Sequence, residues 1–533
     1  MISLARRLGI VLLVACSVAW SAYGPADGTI SGTVRNSTGA PFQGAFVRAR
    51  NVKTKTTVNV LSDKQGRFRV QNLPPGDYEI RGTAIGYKDD VRSGVKVTGG
   101  QPQSLDFALQ KGTVRWSDLN TYQGRRLLPK TGNHDLSYQD KFFTSCLQSC
   151  HSFQKTMTSV ARDENGWRQK VKYMSEAIMG GEGGGLSNQD VEDFTSYLTF
   201  AFGPSSPKPP SPEEMPEYKA LVRSFSDEAM KIEYVEYDFA GAKGLGPWSA
   251  VEDKDGMIWS PYYGRGNEVV RLNPNTGDLT RFPLPFAKTA GIHSAIPSPD
   301  GTVWFTEAAL SRIGQLNPVT GKITEYSNLF PDGQPAGAHT VRVDQNGKVW
   351  ISGGVTISSF EPRTQEFTHY GTAGTYGNVV GPNGEQWFTV FREGDSPIVR
   401  VKNGSVSKFS PPTKGKPQRL QVDSDGIVWF SERRGGKIGR FDPKTETFKE
   451  FQLPGPEPSP YALGIDRNHM IWYASHEQDT LGRLNPRTGE VTEYPFPHSE
   501  ISMREFFLDS QGRLWYASPA NDKIGYFIPP SGN

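Results

Sequence analysis

The sequence predicts a multidomain, mainly β protein: an N-terminal β-sandwich, a small all-α domain and a C-terminal seven-bladed β-propeller. Three observations carry this prediction. Apolar and polar residues alternate over 28–110, helix-length patterns run between 136 and 202, and a tryptophan recurs seven times from Trp259 onward. At 533 residues the chain is several times the usual domain size, so several separately cored units are expected.

Residues 1–22 have the grammar of a signal peptide. Arg6 and Arg7 precede an apolar run from Leu8 to Ala19, which is too short for a comfortable membrane span. A periplasmic or secreted protein is the expectation. Leu13-Val14-Ala15-Cys16 also resembles a bacterial lipobox, so a lipid anchor at Cys16 is the alternative. Of the 59 Lys and Arg, the leader takes Arg6 and Arg7, leaving 57 against 56 Asp and Glu. That near-neutral balance argues against nucleic acid as a partner. Beyond Cys16 there are only Cys146 and Cys150, too few for a disulfide scaffold in an exported chain of this length.

Residues 28–110 read as a small β-sandwich of short alternating runs broken by turns. Phe68-Arg69-Val70 follows Asp63-Lys64-Gln65-Gly66, and Tyr78-Glu79-Ile80 follows Leu73-Pro74-Pro75-Gly76. This order, from Gly32-Thr33-Val34 to Gly86-Tyr87, resembles the carboxypeptidase regulatory-like family, a transthyretin-type sandwich. The resemblance implies no catalysis.

Residues 111–203 change character, with helical patterns around Tyr138 to Val160, Gly166 to Ile178 and Ser187 to Phe202. Ser187 is a plausible N-cap, with Val191, Phe194, Tyr197 and Leu198 at helical spacing. Cys146-Leu147-Gln148-Ser149-Cys150-His151 resembles the haem-attachment motif of c-type cytochromes, with one extra residue between the cysteines. Attachment through Cys150 alone stays open, as does a disulfide on non-helical backbone. The Gly166-Trp167-Arg168 helix leading to Met174 looks like the small monohaem domains of quinohaemoprotein dehydrogenases. That resemblance implies haem c, with His151 as proximal ligand and Met174 as distal ligand, Met179 and Met157 being rivals. Gly180 to Gly185 lacks the Gly-Lys-Ser/Thr ending of a phosphate loop and reads as a connection. Six prolines from Pro204 to Pro216 then make 204–230 a stiff linker.

From 231 to 533 the tryptophans Trp259, Trp304, Trp350, Trp387, Trp429, Trp472 and Trp515 are spaced by 37 to 46 residues, one propeller blade each. Turns such as Asp425-Gly426 precede them, and strands such as Lys437 to Phe441 follow. No fourth strand follows Lys523 to Phe527, and Glu233 to Tyr237 matches the missing one. The N-terminal strand is therefore expected to complete the seventh blade and close the ring without open edges.

Equivalent offsets in each repeat should occupy equivalent radial positions. Eleven residues before each tryptophan lie Trp248, His293, His339, Tyr376, Gln418, Tyr461 and Arg504, with Arg419 beside Gln418. These residues, able to recognise a small-molecule ligand, are expected to line the propeller mouth. Three residues after the tryptophans, Glu307 and Glu432 are expected to join them.

Trp304-Phe305-Thr306-Glu307, Trp429-Phe430-Ser431-Glu432 and the Ile-Gly-Arg strands resemble the streptogramin B lyase (virginiamycin B lyase) family over 233–533. The resemblance implies opening of a cyclic depsipeptide by elimination, with Mg²⁺ held near a Glu and a His as general base. The family's His and Glu belong to the last blade, where this chain has Arg504 and Pro519. A displaced set, His293 with Glu307 and His339, is the alternative. Two functions follow. One is a monohaem electron-transfer protein with an unknown redox partner, whose propeller binds a small molecule or partner. The other is a metal-dependent carbon–oxygen lyase.

Overall fold

The computed structural model describes residues 27–129, 160–175, 186–239, 246–263, 267–285, 290–392 and 394–530. The chain is mainly β. Among the described residues no helix is long and apolar enough to cross a membrane.

The N-terminal region is a two-sheet sandwich. One sheet has the strand order Arg67–Leu73, Gly28–Asn36, Phe107–Lys111, Tyr87–Lys88, and the other Thr56–Leu61, Phe46–Asn51, Gly76–Thr83, Asp90–Val97. Period-two alternation turns Ile30, Val34, Val47, Ala49, Val70 and Ile80 into the space between the sheets, where each is fully buried.

Helices α1 (Thr121–Leu127), α2 (Glu164–Tyr173) and α3 (Asn188–Phe202) gather around Trp116, Leu127, Trp167, Phe194, Tyr197 and Phe202. Ser187 caps α3, its Oγ accepting from the Asp190 amide at 3.1 Å. Asp163 caps α2 in the same way, accepting from Gly166 N at 2.8 Å. The expected helix at Tyr138 to Val160 lies outside the described residues. The proline-rich stretch is not a free spacer: Pro209 O accepts from Trp116 Nε1, Ser211 Oγ donates to Val114 O, and Ala229 and Met230 are buried against the last blades. Proline carbonyls keep their full acceptor strength, so an extended proline segment can be held along its length.

Seven antiparallel sheets follow one another around a ring, each built on one of the seven tryptophan strands, and the seventh lies against the first. The second strands are Ile258–Tyr263, Val303–Glu307, Val349–Ser352, Gln386–Val390, Val428–Glu432, Ile471–Ser475 and Leu514–Ser518. In five blades the tryptophan Nε1 donates at 2.6–2.9 Å to an aspartate six residues earlier: Asp253, Asp344, Asp423, Asp466 or Asp509. The other carboxylate oxygen accepts amides of the turn between them, as Asp423 does from Asp425 and Ile427. One side chain thus ties the turn to the strand it introduces.

The glycine of the third strands, as in Ile438-Gly439-Arg440, has an equally local cause. A Cβ on Gly314, Gly439 or Gly482 would lie 2.0–2.1 Å from the ring tip of Phe305, Phe430 or Tyr473 on the neighbouring second strand. The aromatic ring lies across the bare backbone toward a glutamate on the outermost strand, where Glu325, Glu450 and Glu493 sit opposite these glycines.

Glu233–Asp238 pairs antiparallel with Lys523–Ile528 and supplies the fourth strand of blade seven. Its other edge does not end the sheet. It pairs with Thr56–Leu61 of the sandwich, from Tyr234↔Asn59 to Tyr237↔Thr56, so blade seven and half the sandwich form one eight-stranded sheet. Glu236 is fully buried at this seam, accepting from Asn59 Nδ2 at 3.1 Å and Tyr516 Oη at 3.2 Å and lying 2.7 Å from His498 Nε2.

Candidate functional site

The first strands of the blades begin at one end of the ring, and the residues eleven before each tryptophan sit at those starts. Six of them touch in cyclic order. Ring centroids are 5.7 Å apart for Trp248 and His293, 3.8 Å for His293 and His339, 4.3 Å for His339 and Tyr376, and 6.3 Å for Tyr376 and Tyr461. The Arg504 guanidinium closes the circle, 4.9 Å from the Tyr461 ring and 4.7 Å from that of Trp248. The Tyr376 and Tyr461 hydroxyls hydrogen-bond to each other. Gln418 is buried nearby, and its neighbour Arg419 places its guanidinium 4.9 Å from the Tyr376 ring and 5.7 Å from Tyr461.

The electrostatics are cationic. Arg419 Nη1 donates to Glu505 Oε1 at 2.9 Å, and Arg342 shares that carboxylate at 2.8 Å. Arg419 Nε and Nη2 have no hydrogen-bond partner among the described residues. Burial, and then the positive charge of Arg419, pushes His339 down to about 3. Burial, the neighbouring His339 and the guanidiniums of Arg419, Arg504 and Arg342 push His293 well below the usual imidazole range. Both imidazoles are therefore neutral at pH 7. His339 Nδ1 lies 2.8 Å from Thr340 Oγ1, whereas His293 Nδ1 has no hydrogen-bond partner among the described residues.

Glu307 and Glu432 do not join this ring, which corrects the sequence expectation. The residue three after the tryptophan shares a strand face with the aromatic one after it, Phe305 or Phe430, which lies across the third-strand glycine toward the outermost strand. Glu307 meets Glu325 there and Glu432 meets Glu450. Burial, reinforced by those second carboxyls, raises both to about 8. Both carboxyls are buried, Glu307 against Glu325, and among the described residues no contact ties Glu307 to His293. The displaced catalytic set of His293, His339 and Glu307 is thus reduced to the two stacked imidazoles.

The residue four after the tryptophan reaches the mouth instead. Tyr263 stacks on Trp248 at 4.3 Å, Phe391 packs on Tyr376 at 5.5 Å, the Arg433 guanidinium lies 5.0 Å from the Tyr461 ring, and His476 stacks on Tyr461 at 4.4 Å. Strand alternation carried this signal, since an even offset from the tryptophan falls on the opposite face to Glu307. Glu505 and Arg342 had no comparable signal, because their pairing crosses the ring.

The haem residues Cys146, Cys150 and His151, with the rivals Met157 and Met179 and with Cys16, lie outside the described residues. Met174 is half-buried at the C-cap of α2. Among the described residues no three His, Cys, Asp or Glu side chains come together as a metal site.

Residues 362–532 match the Virginiamycin B lyase family model, and residues 29–110 match the Carboxypeptidase regulatory-like domain model. A virginiamycin B lyase of Nocardia farcinica is 36% identical over 70 residues, which is 13% of this chain and 24% of that relative. Virginiamycin B lyase from Staphylococcus aureus is similar in structure, with a TM-score of 0.50 and 25% identity over 56% of this chain and 99% of that one. A streptogramin B lyase structure gives a TM-score of 0.51 at 25% identity over 57% of this chain and 99% of that one. A catalytically inactive variant of the Staphylococcus aureus enzyme, solved with quinupristin, gives 0.50 at 25% identity over 56% and 99%. The chain therefore joins a carboxypeptidase regulatory-like domain to a propeller similar to virginiamycin B lyase.

Proposed function

We propose that the propeller mouth is the working site and that the chain is a carbon–oxygen lyase acting by elimination on a small organic molecule. The closed circle Trp248, His293, His339, Tyr376, Tyr461, Arg504 carries this reading, because it sets a neutral imidazole with an unpartnered Nδ1 among guanidiniums at the ring's centre. His293 takes a proton from a carbon next to a carbonyl. The electron pair left behind forms the carbon–carbon double bond, the bond from the next carbon to oxygen breaks, and its electron pair leaves on that oxygen. Arg419 and Arg504 stabilise the negative charge that builds on the carbonyl oxygen in between.

Similarity to virginiamycin B lyase supports the reaction class and not its cation. The donor set here does not fit Mg²⁺. Glu505, the carboxylate that engages the guanidiniums around the imidazoles, is already shared by Arg342 and Arg419, and the surrounding positive charge opposes a divalent ion.

Incubation with a streptogramin B, followed by mass spectrometry, tests the reading. Elimination opens the ring without change of mass, whereas hydrolysis adds water. Unchanged mass with a new linear product, lost in His293→Gln, is expected. Addition of water, or equal turnover by His293→Gln, would overturn it.

A second reading rests on the sequence Cys146 to His151, which suits covalent haem and electron transfer. A pyridine haemochrome band after expression with cytochrome c maturation proteins is its expected signature, and a colourless protein removes it.

A further inference from the structure

Arg433 is 4% exposed, yet among the described residues its Nε and Nη2 have no hydrogen-bond partner and its guanidinium makes no ion pair, although the buried Glu477 carboxyl acts on it through space. Arg419, at 3% exposure, likewise keeps Nε and Nη2 without hydrogen bonds after one nitrogen has engaged Glu505. Both guanidiniums face the same aromatic ring, Tyr461, at 5.0 and 5.7 Å. Desolvated charged donors left without acceptors are among the most costly arrangements in a folded protein. Two of them converging on one ring in a propeller mouth point to an acceptor that arrives with a ligand. A planar guanidinium fork matches a two-oxygen anion. The surroundings are aromatic, with Trp248, Tyr376 and Phe391 close by, which suits an organic skeleton.

We infer that the mouth binds an organic acid, its carboxylate held by Arg433 and Arg419 and its carbon skeleton lying against the aromatic side chains of the ring. This deepens the lyase reading, since elimination from an ester leaves a carboxylate on the departing oxygen for these guanidiniums to hold, and it rests on that reading only for the use of the site, not for the binding itself. It also links binding to chemistry. The guanidiniums help keep His293 a weak base, and a bound carboxylate offsets their charge, so the imidazole gains basicity when an acid is in place.

The test uses the full chain and three probes: benzoate, its neutral amide benzamide, and inorganic phosphate. None has the carbon–oxygen bond that the elimination breaks, so the result is independent of lyase activity. Benzoate is expected to raise the Tm in a concentration-dependent way, benzamide and phosphate to leave it unchanged. Arg433→Met should abolish the benzoate shift while the ligand-free protein still melts in one cooperative transition. Arg433→Lys, which keeps the charge without the fork, should retain a shift weakened at least tenfold in half-saturating concentration. An equal response to benzamide, no response to benzoate, or a full benzoate shift in a folded Arg433→Met would overturn the inference. A phosphate response matching that of benzoate would overturn the organic-acid assignment, leaving an inorganic oxyanion site.

Discussion

At the scale of single residues, the mouth trades stability for a pre-set protonation state. His339 is held down to about 3 by burial and by Arg419, well below its value in an unfolded chain. Between pH 6.5 and 3 the unfolded chain therefore binds a proton that the folded chain refuses, and stability falls as pH falls through that window. His339→Gln should make the denaturation midpoint less steeply dependent on pH there, by about one proton. Urea titrations at a series of pH values from 7 to 4 measure this, and an unchanged slope would show that His339 titrates normally. Glu307 and Glu432 teach the complementary lesson. Their residue type suggested chemistry, but their strand face decides their surroundings, and each sits beside a second carboxyl away from the mouth.

At the scale of the element, the blade repeat is maintained by small and specific devices. The tryptophan–aspartate hydrogen bond fixes the turn before the second strand. The third-strand glycine gives an aromatic ring a place to lie, and Gly314→Ala would set a methyl group 2.1 Å from Phe305 Cζ. Overpacking of this kind costs about 1–3 kcal/mol, and calorimetry should find the loss. Gly314→Ala at wild-type stability would mean that the Phe305 ring can move aside freely. These devices made the propeller legible, because a period of one blade places the same residues at the same offsets. The mouth was legible to the same extent. The eleven-before positions, at the starts of the first strands, form the cyclic set, while the three-after positions lie on the tryptophan strand itself, on the face opposite to the tryptophan. Arg433 and His476, at the four-after offset, follow the alternation correctly applied. The helical region was legible as caps and apolar spacing, and α1 meets the propeller beside the mouth, Tyr122 N donating to Glu477 O and Arg125 pairing with Glu457 at 3.1 Å. No local pattern announces such a contact, because its partners lie far apart in sequence.

At the scale of the whole molecule, the seam between sandwich and propeller is a shared sheet rather than a touching surface. Strand Thr56–Leu61 covers what would otherwise be an open edge of blade seven, and Val58, Tyr237 and Trp515 share one apolar core. Removing residues 28–110 should therefore leave a propeller that self-associates through Glu233–Asp238. Light scattering after size-exclusion chromatography reads this directly, and a well-behaved monomer would show that the seam is dispensable. Charge secures the same place. Burial alone would raise the Glu236 carboxyl, but His498, Lys523 and Arg48 outweigh it and hold it at about 2. The stability it supplies is present above about pH 4.5 and is lost as pH falls toward 2.

The shared sheet also sets an order of assembly during synthesis. The sandwich strands come first in the chain, so they can fold and present the Thr56–Leu61 edge before any blade exists. Glu233–Asp238 then has a template to zip onto while the six intervening blades are still being made. When Lys523–Ile528 follows, its partner is already anchored, and ring closure becomes the capture of one strand by a fixed ladder instead of the meeting of two free ends.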